Sequence, residues 1–229
     1  MFNKIKVFAI IPAKGNSQRL KNKNLRKIKD KTLLEITINS AKKSKFIDKI
    51  FISTESKKIS KIVKKLNCEI IKRPKNLSKE NTPANKVIDH SIEYLTKKEK
   101  TKLFLIILLQ VTAPLRTTKD INTSFELLKK RKSKALLSVK RISSDYLKSI
   151  MIFNKKVRPI NKESYLTAND QFLPSLYKPN GAIYIFTSKD FIVKKSIPFK
   201  KMIPFVMTPK KSIDINVLND LKFARKLYK

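Results

Sequence analysis

Short apolar runs alternate with stretches of helical periodicity through the first two-thirds of the chain. Residues 6–11, 49–53, 69–71, 103–109 and 135–139 predict strands. The run at 103–109 is apolar throughout, as a central strand buried on both faces requires. Between the strands, Leu34, Ile38 and Ala41 mark one face of a helix over 32–43. Ile59, Ile62, Val63 and Leu66 fall at i, i+3, i+4 and i+7, an amphipathic helix. Ala84, Val87, Ile88, Ser91, Ile92 and Leu95 mark a third face, and Ile121, Phe125 and Leu128 a fourth, over 118–130. Strand–helix–strand repetition of this kind predicts an α/β fold built on a doubly wound, mostly parallel sheet. Ligands bind such sheets at the carboxyl ends of the strands.

Beyond about residue 140 the pattern changes. Residues 151–158 and 181–186 read as strands separated by a polar stretch with Pro174 and Pro179, and 217–227 as a last helix with Leu218, Leu221 and Ala224 inward. We expect a single domain over 1–229, with 145–200 a small antiparallel insertion that covers the site and pairs two subunits. No internal repeat or low-complexity linker interrupts it.

Composition narrows the chemistry. The longest apolar run is far too short to cross a bilayer. The start lacks a small-residue cleavage site, so it reads as a first strand in a cytoplasmic protein. Cys68 is the only cysteine, which excludes an internal disulfide and a thiolate metal cluster; a small buried hydrophobe is the expected role. His90 is the only histidine and lies in a helical pattern without a nucleophile motif, which sets serine–histidine and cysteine–histidine mechanisms aside. The 54 basic and 17 acidic residues give a net charge of +37. Lysine pairs recur along the whole length, no nucleic-acid signature accompanies them, and only 2 glycines remain. A chain-wide drift toward lysine explains this better than a dedicated nucleic-acid or membrane surface.

The two glycines point to chemistry. Gly15 sits in the loop after the first strand, Ile11-Pro12-Ala13-Lys14-Gly15-Asn16-Ser17-Gln18-Arg19, which continues to Lys23-Asn24. Free backbone amides and several cations there form a cradle for polyphosphate, though the loop is neither a Walker loop nor a G-x-G-x-x-G turn. Gly181 follows Asn180. In a chain nearly devoid of glycine, both mark backbone that tolerates no side chain.

The segment I-P-A-K-G-x-S-x-R-x-x-x-K-N resembles the nucleotide-binding signature of the acylneuraminate cytidylyltransferases, the CMP-sialic acid synthetases. Four more segments match in the family's order: Arg73-Pro74-x-x-Leu77, the stretch from Leu109 through Gln110 to Arg116, Asn180-Gly181-Ala182-Ile183-Tyr184-Ile185, and Ser212-Ile213-Asp214-Ile215-Asn216. The resemblance implies a nucleotidyltransferase-like fold, a homodimer and Mg²⁺. It implies transfer of CMP from CTP to the anomeric hydroxyl of an acidic nine-carbon 2-keto sugar, with pyrophosphate leaving in line. Alignment and charge neutralisation supply most of such a transfer. By the same resemblance Ala13, Lys14, Gly15, Asn16, Ser17, Arg19, Lys23 and Asn24 hold the nucleotide, with Lys23 nearest the leaving group. Arg73 helps place it, and Thr82 and Asn85 read the cytosine. Gln110, Asn180, Gly181 and Tyr184 line the sugar pocket. Asp214 is the metal ligand, with Asn216 a weak second donor.

Departures from the pattern stand beside the match. Asn216 replaces a second aspartate, which removes a charge from the metal site and puts two-metal catalysis in doubt. Asp170 precedes Gln171-Phe172-Leu173-Pro174 where the family carries an arginine, and would repel an acidic sugar if it faced the pocket. The nearest rival is a cytidylyltransferase for the eight-carbon acid Kdo. Legionaminic or pseudaminic acid could replace sialic acid, and a homologue that binds CTP without transferring it is a third reading. The different class is a basic nucleic-acid or membrane-surface protein.

Overall fold

The computed structural model describes residue 2 and residues 5–228. The chain runs β1 (Val7–Pro12), β2 (Lys27–Ile28), β3 (Lys31–Thr32), α1 (Leu33–Lys42), β4 (Lys49–Thr54), α2 (Lys57–Lys65), β5 (Glu69–Lys72) and α3 (Ala84–Glu99). It continues through β6 (Leu105–Leu108), α4 (Thr118–Lys130), β7 (Leu136–Ile142), β8 (Ile150–Phe153) and β9 (Lys156–Pro159). The last elements are β10 (Leu176–Thr187), α5 (Ser188–Lys194), β11 (Ile203–Val206) and α6 (Leu218–Leu227).

Seven strands form one sheet in the order β11-β7-β10-β6-β1-β4-β5. All neighbours are parallel except β10, which runs antiparallel to both β6 and β7. The doubly wound reading therefore holds, with the antiparallel strand inserted at its centre. Phe2, Phe46 and Phe125 pack together on one face of the sheet, with Phe46 and Phe125 stacked at 4.9 Å. On the other, Phe8 meets Phe51 and Phe104 beside Ile88, Ile92 and Leu95 of α3. The α1 and α4 starts carry capping boxes, Thr32 with Glu35 and Thr117 with Asp120, each satisfying amides that the helix leaves free.

Several boundaries shift. The apolar run at 103–109 yields a strand of only Leu105–Leu108, and Leu103 is half exposed. The single strand expected at 151–158 is the hairpin β8–β9, because Asn154 and Lys155 both take the left-handed backbone of a tight turn. The strand expected at 181–186 starts at Leu176, so residues 176–187 of the expected insertion belong to the central sheet. What stands away from the sheet is the arm at 143–175, carrying β8–β9. In α6, Leu221 and Ala224 point inward but Leu218 is exposed. Cys68 is half-buried and packs at the edge of the core.

Candidate active site

The carboxyl ends of β1, β5 and β6 bring the first loop, the segment after β5 and the turn after β6 to one edge. Ala13 extends β1 by donating its amide to Ser53 O at 2.9 Å. At Gly15, an added Cβ would lie 2.6 Å from Ser56 Cβ, so packing against the start of α2 is what demands glycine there. The Gly15 amide donates to Glu55 Oε1 at 2.7 Å. It is therefore engaged by the protein, which corrects the expectation of free amides at this point. Asn24 is buried and donates to Lys14 O at 2.9 Å, fastening the 3-10 turn Lys23–Leu25 to the loop.

Around this frame lies a cavity of about 310 Å³ lined by Lys14, Ser17, Arg19, Lys23, Asn24, Arg73 and Gln110. Arg73 is buried and donates from Nε to Ser53 Oγ at 3.1 Å and from Nη2 to Ser53 O at 2.7 Å. Its burial disfavours the charge and lowers its pKa, which Glu55 partly opposes. Ala13 and Gly15 shape the loop without lining the cavity, and Asn16 is exposed outside it. Thr82 and Asn85 also lie off the cavity. Pro83 starts α3, so the helix presents Ala84, Val87 and Ile88, with Glu80 before them, while Asn85 is turned away. Thr82 donates to Asn76 O at 3.4 Å and lines a separate depression with Lys86.

A second cavity of about 620 Å³ opens beside the first, and Gln110 lines both. Gly181 has φ +74°, and a Cβ there would lie 2.8 Å from Gln110 Oε1. Both the left-handed backbone and the close approach exclude a side chain. Tyr184 lines this cavity; burial raises its pKa, and the negative charge of Asp214 adds to the effect. Asn180 lies in the same wall, but its amide is used internally. It accepts from Ser138 Oγ at 2.6 Å and donates to Ser212 Oγ at 2.9 Å, joining β7, β10 and the segment after β11.

Asp214, Asn216 and Asp220 complete the second cavity. Asp220 accepts the amides of Asn216 at 2.8 Å and Val217 at 2.9 Å, so it is the acid that caps α6. Asp214 is left free of that structural duty. Asn216 donates to Asp214 Oδ2 at 2.8 Å and accepts from Lys23 Nζ at 3.3 Å. Residues 193 positions apart thus meet where the two cavities join. Burial lowers the pKa of Lys23; Asp214 and Asp220 oppose the shift, while Arg19 and Lys14 add to it. The structure brings together Lys14, Ser17, Arg19, Lys23, Asn24, Arg73, Gln110, Gly181, Tyr184, Asp214 and Asn216. Asp170 lines neither cavity and pairs with Lys148 at 2.7 Å, which holds its carboxyl below the usual range.

Sequence reasoning assigned no role to Lys140 and Lys178, which sit directly opposite each other on β7 and β10 and line the second cavity. The lysine background hid them. Arg116 also went unassigned, although it lies in the segment that begins at Leu109. Its Nη1 donates to Gln110 O at 3.2 Å and Ala182 O at 3.0 Å, tying together the two backbones that meet at the cavity junction. A charged residue closing the otherwise uncharged segment from Leu109 to Leu115 was the one signal that marked it.

Comparison with known proteins agrees with this geometry. A family model described as Cytidylyltransferase matches residues 8–227. The "Post-translational flagellin modification protein B" of Campylobacter coli is 30% identical over 97% of this chain and 95% of its own length. The "CMP-N,N'-diacetyllegionaminic acid synthase" of Legionella pneumophila is 31% identical over 97% of this chain and 96% of its own. A CMP:2-keto-3-deoxy-manno-octonic acid synthetase solved with CTP shares the fold, with a TM-score of 0.66 at 16% identity over 97% of this chain and 98% of that one. The match spans nearly the whole sequence, and the chain belongs to the cytidylyltransferase family.

Proposed function

We propose that this cytidylyltransferase transfers CMP from CTP to the anomeric hydroxyl of a nonulosonic acid. The observation that carries the reading is the junction itself. A cavity rimmed by Lys14, Arg19, Lys23 and Arg73 shares Gln110 with a polar one holding Tyr184 and Asp214. A triphosphate in the first and a sugar in the second put the α-phosphate beside the anomeric oxygen.

In the reaction the anomeric oxygen forms a bond to the α-phosphorus while the bond from that phosphorus to the bridging oxygen breaks. Pyrophosphate leaves, and the hydroxyl proton passes to solvent. Lys23, with Lys14 and Arg19, neutralises charge that grows on the leaving oxygens. Lys140 and Lys178 face each other at the mouth of the second cavity, an arrangement of like charges that costs energy when empty and favours an anionic substrate. The sugar's carboxylate is that anion.

Asp214, one carboxylate with one oxygen bonded to Asn216, is the residue that would hold Mg²⁺, and such an ion would supply charge screening on the triphosphate. Asn216, engaged by both Lys23 and Asp214, serves as a bridge between cation and carboxylate. The arm at 143–175 exposes Ile152, Phe153, Val157 and Phe172, an apolar surface that we assign to a homodimer contact. No helix among the described residues is long and apolar enough to cross a membrane. We place the protein in the cytoplasm, where CTP is available.

Pyrophosphate release from CTP and Mg²⁺ with a panel of free nine- and eight-carbon 2-keto acids tests the reading. Release with a nine-carbon acid is the expected result. Release with Kdo alone overturns the substrate class, and CTP binding without release for any sugar overturns the transferase activity.

A further inference from the structure

A third cavity, of about 480 Å³, lies away from the two substrate cavities and shares no lining residue with either. It is bounded by α1, the start of α4 and the segment 210–211. Among the described residues five cations line it, Lys31, Lys43, Arg116, Lys210 and Lys211, and no acidic side chain does. Among the described residues only Lys211 is paired, through Asp120 Oδ1 at 2.6 Å; the other oxygen of Asp120 caps α4 at Thr117. Lys31, Lys43 and Lys210 have no carboxylate partner among the described residues.

Arg116 makes this more than a patch of surface lysines. It is 2% exposed, and its Nε and Nη2 have no hydrogen-bond partner, while Nη1 is fully used on Gln110 O and Ala182 O. A guanidinium buried with two unmet donors carries a desolvation cost that an anion in the adjoining cleft would offset, if the side chain turns to meet it. Burial lowers its pKa to about 10, against the ordinary 12.5, so the group remains charged at neutral pH. At the same place the 13-residue helix α4 begins, and the amides of Thr118 and Lys119 in its first turn have no acceptor within the helix. An arginine fork, unpaired lysines and helix amides favour a tetrahedral dianion over a lone carboxylate.

We propose that this cleft is a second anion site, which takes a phosphate group and acts on the substrate cavities through Arg116. The coupling follows from the covalent unity of the guanidinium. Drawing Nε and Nη2 toward a phosphate shifts the same planar group whose Nη1 holds Gln110 and Ala182, and Gln110 lines both substrate cavities. The phosphate could be free orthophosphate or the monoester of a small metabolite, and the cleft chemistry is the same for both.

The test begins with binding, which needs no turnover and so stands apart from the assigned reaction. Calorimetry with orthophosphate, and separately glycerol 3-phosphate, is run on the full chain saturated with CTP, with ionic strength held constant by chloride. We expect saturable binding of at least one of them. Lys43→Gln combined with Lys210→Gln should weaken it at least tenfold and leave turnover without phosphate unchanged. Arg116→Lys should weaken it as well. In the parent protein phosphate should shift the sugar KM, and the lysine pair variant should lose that shift. Tighter binding of orthophosphate than of the ester would identify the free ion, and the reverse order a metabolite. Phosphate that CTP displaces, or that binds the lysine variant equally well, overturns the proposal. So does heat that vanishes at matched ionic strength, since that marks general attraction to a polycation. Binding without any change in sugar KM overturns the coupling.

Discussion

Phe125 and Phe153 are the same residue in two opposite settings. Phe125 is wholly buried against Phe2 and Phe46 beneath the central sheet, whereas Phe153 is 51% exposed on the hairpin of the arm. The sheet region buries most of its apolar side chains within one chain. The arm leaves Ile150, Met151, Ile152, Phe153, Val157, Ile160 and Phe172 at 44–79% exposure, on a two-stranded hairpin that is marginal alone in water. The difference teaches that the two regions answer to different partners. The sheet is covered by its own helices, and the arm keeps an apolar surface that its own protomer leaves uncovered.

The largest expected effect separates the two directly. Phe125→Ala should cost about 3–5 kcal/mol of unfolding free energy, as emptying a core site does. Phe153→Ala together with Ile152→Lys should leave the melting of the sheet nearly unchanged but shift sedimentation from dimer to monomer. If the arm variant melted as badly as the core variant, the contrast would collapse.

Next in size is chemistry, which should reside in the sheet region. Lys23→Ala should lower kcat about 10²–10³-fold, the range for removing one donor to developing charge. A loss confined to sugar KM would move Lys23 off the phosphates. Asp214→Ala should abolish Mg²⁺-dependent turnover while the far-ultraviolet circular dichroism stays unchanged, since Asp220 rather than Asp214 caps α6.

A smaller effect belongs to Gly181, at φ +74° and against Gln110. Gly181→Ala should cost about 1–2 kcal/mol for the left-handed backbone alone. It should also reduce turnover through the displaced Gln110, with chemical denaturation and steady-state rates as the two readouts.

The pH profile sharpens the same comparison. Burial lowers the Lys23 pKa, and the role proposed for it at the phosphates requires the cation. Turnover should therefore be full below that pKa and fall as pH rises through it, earlier than an ordinary lysine would dictate. Lys23→Arg should move this alkaline limb upward, and a limb that stays in place would assign it elsewhere. The smallest effect is global: with a net charge of +37, melting temperature should rise as salt screens self-repulsion. A flat or falling series would mean the charges are already neutralised in pairs.

Much of the site was legible before the fold was known, and unevenly so. Gly15 and Gly181 stood out because a chain that has shed glycine keeps it only where a Cβ would collide, and both positions show that collision. Thr82 and Asn85 failed for a local reason. One helical turn decides which residues face a cavity, and Pro83 sets the start of α3 so that Ala84, Val87 and Ile88 do. Asn180 lines the second cavity but not as a free group, because Ser138 and Ser212 arrive from distant segments to occupy its amide. Lys140 and Lys178 were illegible in a sequence with 54 basic residues, and only the antiparallel register of β7 and β10 sets them face to face.

The sequence by itself determined the alternation of strands and helices, the parallel half of the sheet and the loop that carries Lys14, Arg19 and Lys23. These depend on periodicity and local backbone, which neighbours in the chain specify. Tertiary structure alone decided the antiparallel place of β10, the meeting of Lys23 with Asn216 across 193 residues, the exposure of the arm and the unmet donors of Arg116. Each of those is a pairing between distant segments, and its energy comes from burial and hydrogen bonding that exist only once the segments have met.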